Sequence, residues 1–338
     1  MIAEVKTREP LIFALALGGT ILTFFVVVLG AFVRLTDAGL GCPDWPGCYG
    51  HLDVPRTPEE IAAAEQVRPE RPVDITKAWI EMIHRYVAGG LGLLILAIAI
   101  TAWRRRHRGV PWVLPFALVA LVLFQSLLGM WTVTLLLKPA IVTAHLAGGL
   151  LTLSLMAWLT LAHAPRLPSM RVGRGACQLG YVAMVVLCVQ ILLGGWTSTN
   201  YAALACTDFP TCQGEWWPEM DFGEGFRIWR GLGVDYEFGV LDSPAMTAVH
   251  KAHRLGAIAA TLALGAFALL CLASRRPAAQ FAGATVLGLL MLQLALGVGN
   301  VVFHLPLWLA TAHNGGAALL LVAMVAALYM MAKRDVSA

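Results

Sequence analysis

Eight apolar runs, at roughly 11–33, 77–102, 111–137, 140–163, 176–199, 245–273, 278–302 and 306–331, are each long enough to cross a bilayer. Inside lipid every backbone N–H and C=O must find its partner within the segment, so runs of this kind are expected to be helices. Only 13% of the 338 residues are charged and the mean hydropathy is +0.73, whereas a soluble domain carries about twice that charge. The fold class expected is an all-α polytopic membrane protein with eight transmembrane helices. The opening residues MIAEVKTREP mix two acids with two bases. They fit neither a cleaved signal peptide nor an acid-poor transit peptide, so the first span is expected to be retained.

Basic residues orient the spans. With a cytoplasmic N-terminus, the inner segments hold Lys6, Arg8, Arg104, Arg105, Arg106, Arg108, Arg166, Arg171, Arg174, Arg275, Arg276, Lys333 and Arg334, thirteen bases in short pieces. The outer segments hold eight, Arg34, Arg56, Arg68, Arg71, Lys77, Lys138, Arg227 and Arg230, mostly in two long loops at about 34–76 and 200–244. Short loops dominate the positive-inside rule, so both termini are expected inside and both long loops outside. The net charge of +4 means little apart from this placement, and no nucleic-acid partner is expected.

The chain repeats itself. Leu29-Gly30 through Cys42-Pro43-Asp44-Trp45-Pro46-Gly47-Cys48 aligns, at an offset of 164, with Leu193-Gly194 through Cys206-Thr207-Asp208-Phe209-Pro210-Thr211-Cys212. His84-Arg85 then aligns with His253-Arg254, and Gln125, Gly129 and Thr143-Ala144-His145 with Gln293, Gly297 and Thr311-Ala312-His313. Residues 1–170 and 171–338 are therefore expected to be two pseudo-symmetric four-helix bundles in tandem. An even number of spans in each makes them parallel repeats. Gln-x-x-x-Gly recurs at Gln125/Gly129, Gln190/Gly194 and Gln293/Gly297, always in an odd-numbered span.

Each even-numbered span carries a histidine about five to eight residues from its outer end: His84, His145, His253 and His313. At 1.5 Å per residue these lie at similar depth. Small residues follow three and four positions on, Gly148/Gly149, Gly256/Ala257 and Gly316/Ala317, against Val87/Ala88 after His84. They share the histidine's face of the helix, and a bare surface beside an imidazole suits a flat, bulky ligand. Two such histidines on non-adjacent helices of each half can clamp one metal. Bis-imidazole ligation without a cysteine or acid cluster indicates haem iron more than zinc. The competing reading is four helix-packing histidines bonded to carbonyls. Matched depth in repeated units weighs against it, and an ionisable residue within the membrane marks function by default. His51, His107 and His163 are expected to be solvated or interfacial. His250, one turn before His253, and His304, near a tight outer turn, are weaker candidates for a functional role.

Glu81 stands three residues before His84, on the same face, where it can act as acid or base in the first pocket; the alternative is an interfacial, solvated acid. The second half has His250 at that place, so the two pockets are expected to differ, one catalytic and the other structural or electron-transferring. Cys42/Cys48 and Cys206/Cys212 are both Cys-x5-Cys in outer loops, where oxidising conditions allow disulfides; metal binding is the alternative, and a redox role for the first pair competes with a structural staple. Cys177, Cys188 and Cys271 are expected to be inert buried thiols. Arg34, Arg85 and Arg254 are candidate partners for haem propionates, with snorkelling to headgroups as the alternative. Trp45, Trp216, Trp217 and Trp229 suggest interfacial anchoring of the loops.

Taken together, Arg34-Leu35-Thr36, Glu81-x-x-His84-Arg85, Thr143-Ala144-His145, His253-Arg254, one histidine per even span and the first-loop cysteine pair resemble the haem A synthase family, over about residues 20–330. The resemblance implies oxidation of the C8 methyl of haem O to a formyl group, giving haem A for terminal oxidases. It implies His84 and His145 as ligands of the substrate haem, with Glu81 essential nearby, and a haem b between His253 and His313. It links Cys42/Cys48 to activity, although members differ in which loops carry cysteines. It further implies a bacterial inner membrane, haem O synthase as the upstream partner and an electron donor that the sequence does not name; a homo-oligomer is compatible with it. The runner-up function is a di-haem cytochrome b that passes electrons from quinol. All four ligands at one depth argue against it, since electron transfer across a membrane stacks haems on both sides. A transporter is disfavoured because the histidines sit outside the midplane.

Overall fold

The computed structural model describes residues 9–165 and 167–333; Lys6, Arg8, Arg166 and Arg334 lie outside them. The apolar runs form eight long helices, α1 (Pro10–Leu35), α3 (Ile75–Arg104), α4 (Val113–Thr134), α5 (Pro139–His163), α6 (Arg174–Thr199), α8 (Ser243–Leu272), α9 (Pro277–Val302) and α10 (Leu307–Ala332). Two short helices, α2 (Pro58–Val67) and α7 (Phe222–Gly225), lie in the two long loops. Among the described residues the only β-pairing is two isolated bridges, Cys48 with His51 and Cys212 with Glu215. This is an all-α, eight-span membrane protein.

The helix starts follow from local chemistry. Proline opens α1, α5 and α9 in the first turn, where its missing N–H costs nothing. Asp74 caps α3 through the Lys77 N–H at 3.0 Å, and Asp242 caps α8 through the Ala245 N–H at 3.0 Å. Hydropathy overshoots at the end of α4, where the apolar run continues to residue 137 but the helix stops at Thr134. Leu136 and Leu137 take left-handed φ of 51° and 57° in a tight turn, closed by the Leu137 N–H on the Thr132 carbonyl at 2.8 Å. The same turn recurs between α9 and α10, with His304 and Leu305 at φ 57° and 60°.

The spans pack as two rings. In the first, α1 touches α3, α3 touches α4, α4 touches α5, and α5 returns to α1. In the second, α6, α8, α9 and α10 close in the same order, consistent with the tandem arrangement. α10 also meets α1 and α5, which makes it the most buried span. Gly315 lets it lie close to Val28 of α1, and Gly195 of α6 does the same against Leu146 of α5. The long loops, 36–74 and 200–242, share one face of the protein and are tied together: Arg71 bonds Asp235 at 2.7 Å and Glu237 at 2.8 Å.

Candidate functional site

His84 on α3 and His145 on α5 project from helices on opposite sides of the first ring. His253 on α8 and His313 on α10 do the same in the second. The two imidazoles of each pair are within electrostatic reach of one another. Each is partly buried. The edge of each ring rests on a glycine of the preceding helix. A Cβ on Gly30, Gly194 or Gly297 would lie 3.1 Å from Cε1 of His84, His253 or His313, and one on Gly129 would lie 3.6 Å from that of His145. The glycine of Gln-x-x-x-Gly is thus the floor on which an imidazole lies.

The glycines three residues after the histidines are not the bare surface expected. Gly148, Gly256 and Gly316 are covered by Gln125, Gln190 and Gln293, whose amides occupy the space a Cβ would fill. The glutamine of the same motif was visible in the sequence, but its partner on the next helix was not. Nδ1 of His84, His145 and His313 is buried with no hydrogen-bond partner. Buried imidazole nitrogens ordinarily find one, so these rings are under-satisfied by the protein alone. Among the described residues no three His, Cys, Asp or Glu side chains converge as a metal cluster would require. Opposed imidazole pairs on glycine floors, three of the four rings with a buried Nδ1 that has no partner, fit an iron porphyrin held by two axial nitrogens.

Glu81 faces the first loop rather than open space. It is buried; its Oε2 accepts the Cys42 N–H at 2.8 Å and its Oε1 pairs with Arg85 at 2.5 Å. Arg85 in turn donates to the carbonyls of Gly47 at 2.6 Å and Asp44 at 2.9 Å. The second half copies this with different chemistry. His250 takes the carboxylate's place, with Nδ1 3.4 Å from the Cys206 N and Nε2 accepting from Arg254 Nε at 3.1 Å. Arg254 also donates to the carbonyls of Thr211 at 2.7 Å and Asp208 at 2.8 Å. Both arginines are therefore committed to their loops. Arg34 lies between the halves, donating to the Ser198 carbonyl at 2.5 Å and stacking 3.9 Å over the Tyr201 ring, whose hydroxyl bonds Asp37 at 3.1 Å.

Two peripheral expectations change, at His163 and Cys188. His163, expected to be solvated or interfacial, is 2% exposed, because the last turn of α5 is packed inside the bundle. Cys188 is exposed on the outer surface of α6 rather than buried. Trp229 does more than anchor: it covers the Lys138 ammonium at 3.4 Å. His304 is exposed in its turn, away from the second pocket.

Both loops close as disulfides, Cys42–Cys48 and Cys206–Cys212. An aspartate organises each hairpin: Asp44 accepts the N–H groups of Tyr49 at 2.6 Å and Gly50 at 2.7 Å, Asp208 those of Gln213 at 2.6 Å and Gly214 at 3.0 Å. The Thr211 hydroxyl, followed by these N–H groups, holds the Asp208 carboxyl down to about 2. A depressed carboxylate contributes stability that is full above its unfolded value and is lost only as pH falls through the folded one. The second loop is therefore expected to resist proteolysis unchanged at pH 4, and Asp208→Asn to become cleavable there.

Residues 14–325 match the family described as cytochrome oxidase assembly protein. The haem A synthase of Shewanella oneidensis is 46% identical over 316 residues, covering 92% of this chain and 94% of that protein. That of Rhizorhabdus wittichii is 29% identical over 339 residues, covering 94% and 93%. The match spans nearly all of both rings. The chain belongs to the cytochrome oxidase assembly protein family. In its two rings His250 stands beside Cys206 as Glu81 stands beside Cys42.

Proposed function

We propose that this chain is a haem A synthase, oxidising the C8 methyl of haem O to a formyl group through two hydroxylations and loss of water from the geminal diol. The observation that carries the reading is the pair of opposed imidazoles laid on glycines in each ring, alongside 46% identity to a haem A synthase over most of the chain. Haem O is the substrate of the first half, held by His84 and His145; His253 and His313 hold a haem b in the second. Bound haem supplies the redox chemistry, and the protein supplies placement, exclusion of water and proton handling.

The chain's own groups divide the work. Gly30, Gly129, Gly194 and Gly297 set the four ring planes by letting imidazoles lie flat on the neighbouring helix. Glu81, one turn from His84, is the group proposed to move a proton or help dehydrate the diol. Arg85 and Arg254 fix the disulfide loops over the ends of α3 and α8. The loop face is proposed to lie outside a bacterial inner membrane and the termini inside. Arg104, Arg105, Arg106, Arg108, Arg275 and Arg276 on the opposite face support this, as do disulfides on the loop face. Haem O synthase is the proposed upstream partner.

The test is expression in a host that makes haem O and lacks haem A. Haem A in the extracted membranes, with a trace of the hydroxymethyl intermediate, is the expected result. Haem O left unchanged, beside haem b that quinol reduces, would replace this reading with the electron-transfer cytochrome. Within the same assay Gly297→Leu is expected to push the His313 ring aside, since even a Cβ there stands 3.1 Å from it, and to lower haem b content with little change in expression.

A further inference from the structure

Both histidines of the second half are held from behind by a glutamine of the preceding helix. Gln190 Nε2 donates to the His253 carbonyl at 3.1 Å and lies 3.1 Å from its Nδ1. Gln293 Nε2 donates to the His313 carbonyl at 2.9 Å and lies 3.4 Å from its Nε2. Each amide reaches that carbonyl through the notch left by the glycine three residues on, for a Cβ on Gly256 or Gly316 would collide with the glutamine. Glutamine and glycine are thus one device built from two helices.

The first half lacks the full device. Gln125 still fills the notch over Gly148, and like Gln190 and Gln293 it leaves the amide atom that faces its glycine without a partner. Around His84 both parts are gone: Val26 stands four residues before Gly30, where the other helices have glutamine, and Val87 stands three residues after His84, where they have glycine. Three histidines therefore have a glutamine packed behind them over a glycine, and His84 has neither part.

We infer that the glutamine–glycine device separates a haem site built to retain its ligand from one built to release it, with Val26 and Val87 marking His84 as the axial residue that lets go. The inference rests on the assignment of the substrate haem to the first half. A substrate must enter and a product leave on each turnover, and a fastened pair of ligands opposes both. Gln190 and Gln293 are positioning residues, acting through the histidines they hold. One net hydrogen bond corresponds to about a fivefold change in an equilibrium, so removing both is expected to change retention by at least about that factor.

The experiment follows haem loss from purified protein, loaded in cells that supply haem O, to excess apomyoglobin, with each haem quantified after extraction. In the wild type, haem b is expected to leave at least about tenfold more slowly than haem O and haem A, given a glutamine bonded to the backbone carbonyl of each of its ligands. Gln190→Leu with Gln293→Leu is expected to speed haem b loss about fivefold or more, to move part of its absorption from low-spin to high-spin form, and to leave haem O loss unchanged. Val26→Gln with Val87→Gly is expected to slow haem O and haem A loss by a similar factor. Unchanged loss rates in the glutamine variants, or equal rates for the two haems in the wild type, would overturn the inference. Should the graft fail to fold, the glutamine variants and the wild-type ratio decide alone. Haem b as the sole haem in the wild type would instead remove the assignment of the halves, a failure distinguishable from that of the device.

Discussion

Replacing His253 or His313 with alanine is expected to remove haem b and leave the substrate haem in place, so that about half of the bound haem is lost, as follows from deleting one of two axial ligands. The geometry makes the loss selective. The second ring closes on itself through α6, α8, α9 and α10, and its imidazoles lie on Gly194 and Gly297 of that same ring. His84 and His145 rest on Gly30 and Gly129 of the other ring. Formation of haem A is expected to fall in these variants, because the second haem is proposed to be structural or electron-transferring for the first. Haem extraction from purified variants checks the first part and product analysis the second. Simultaneous loss of both haems would mean that the rings are not separable units.

The second large effect is expected at Glu81. Glu81→Gln keeps an oxygen to accept the Cys42 N–H, so the first loop should hold its disulfide and its resistance to proteolysis. The variant cannot exchange a proton, and haem A formation is expected to fall by about a hundredfold or more, the usual scale for a lost general acid or base. Glu81→Leu adds a second defect. Arg85 then keeps its buried charge without a counter-ion, a change that costs about 3–5 kcal/mol, and the loop at Cys42–Cys48 should become labile. Rates of haem A formation set against proteolysis of the loop separate the two roles. If Glu81→Gln works at the wild-type rate, the carboxylate is a brace for the loop and no more.

The spans were legible because lipid leaves a helix no alternative, and helix ends agree with the hydropathy to within three residues. The histidines and cysteine pairs were legible because a repeat shows each of them twice. What the sequence hid is contact between helices. Glycines after the histidines look like open surface until the neighbouring helix brings Gln125, Gln190 and Gln293 onto them. The loop carbonyls that Arg85 and Arg254 bond come from residues about forty positions away in the chain, and no spacing in the sequence shows those contacts. The leucines at 136 and 137 look like helix until their left-handed backbone ends it.

The most direct test of two unlike haem sites is the haem inventory of the purified protein from cells that supply haem O. Extraction and chromatography should find haem b together with haem O, haem A or the hydroxylated intermediate. Haem b alone, filling both halves in cells that contain no haem A, would contradict the account and favour a di-haem electron carrier.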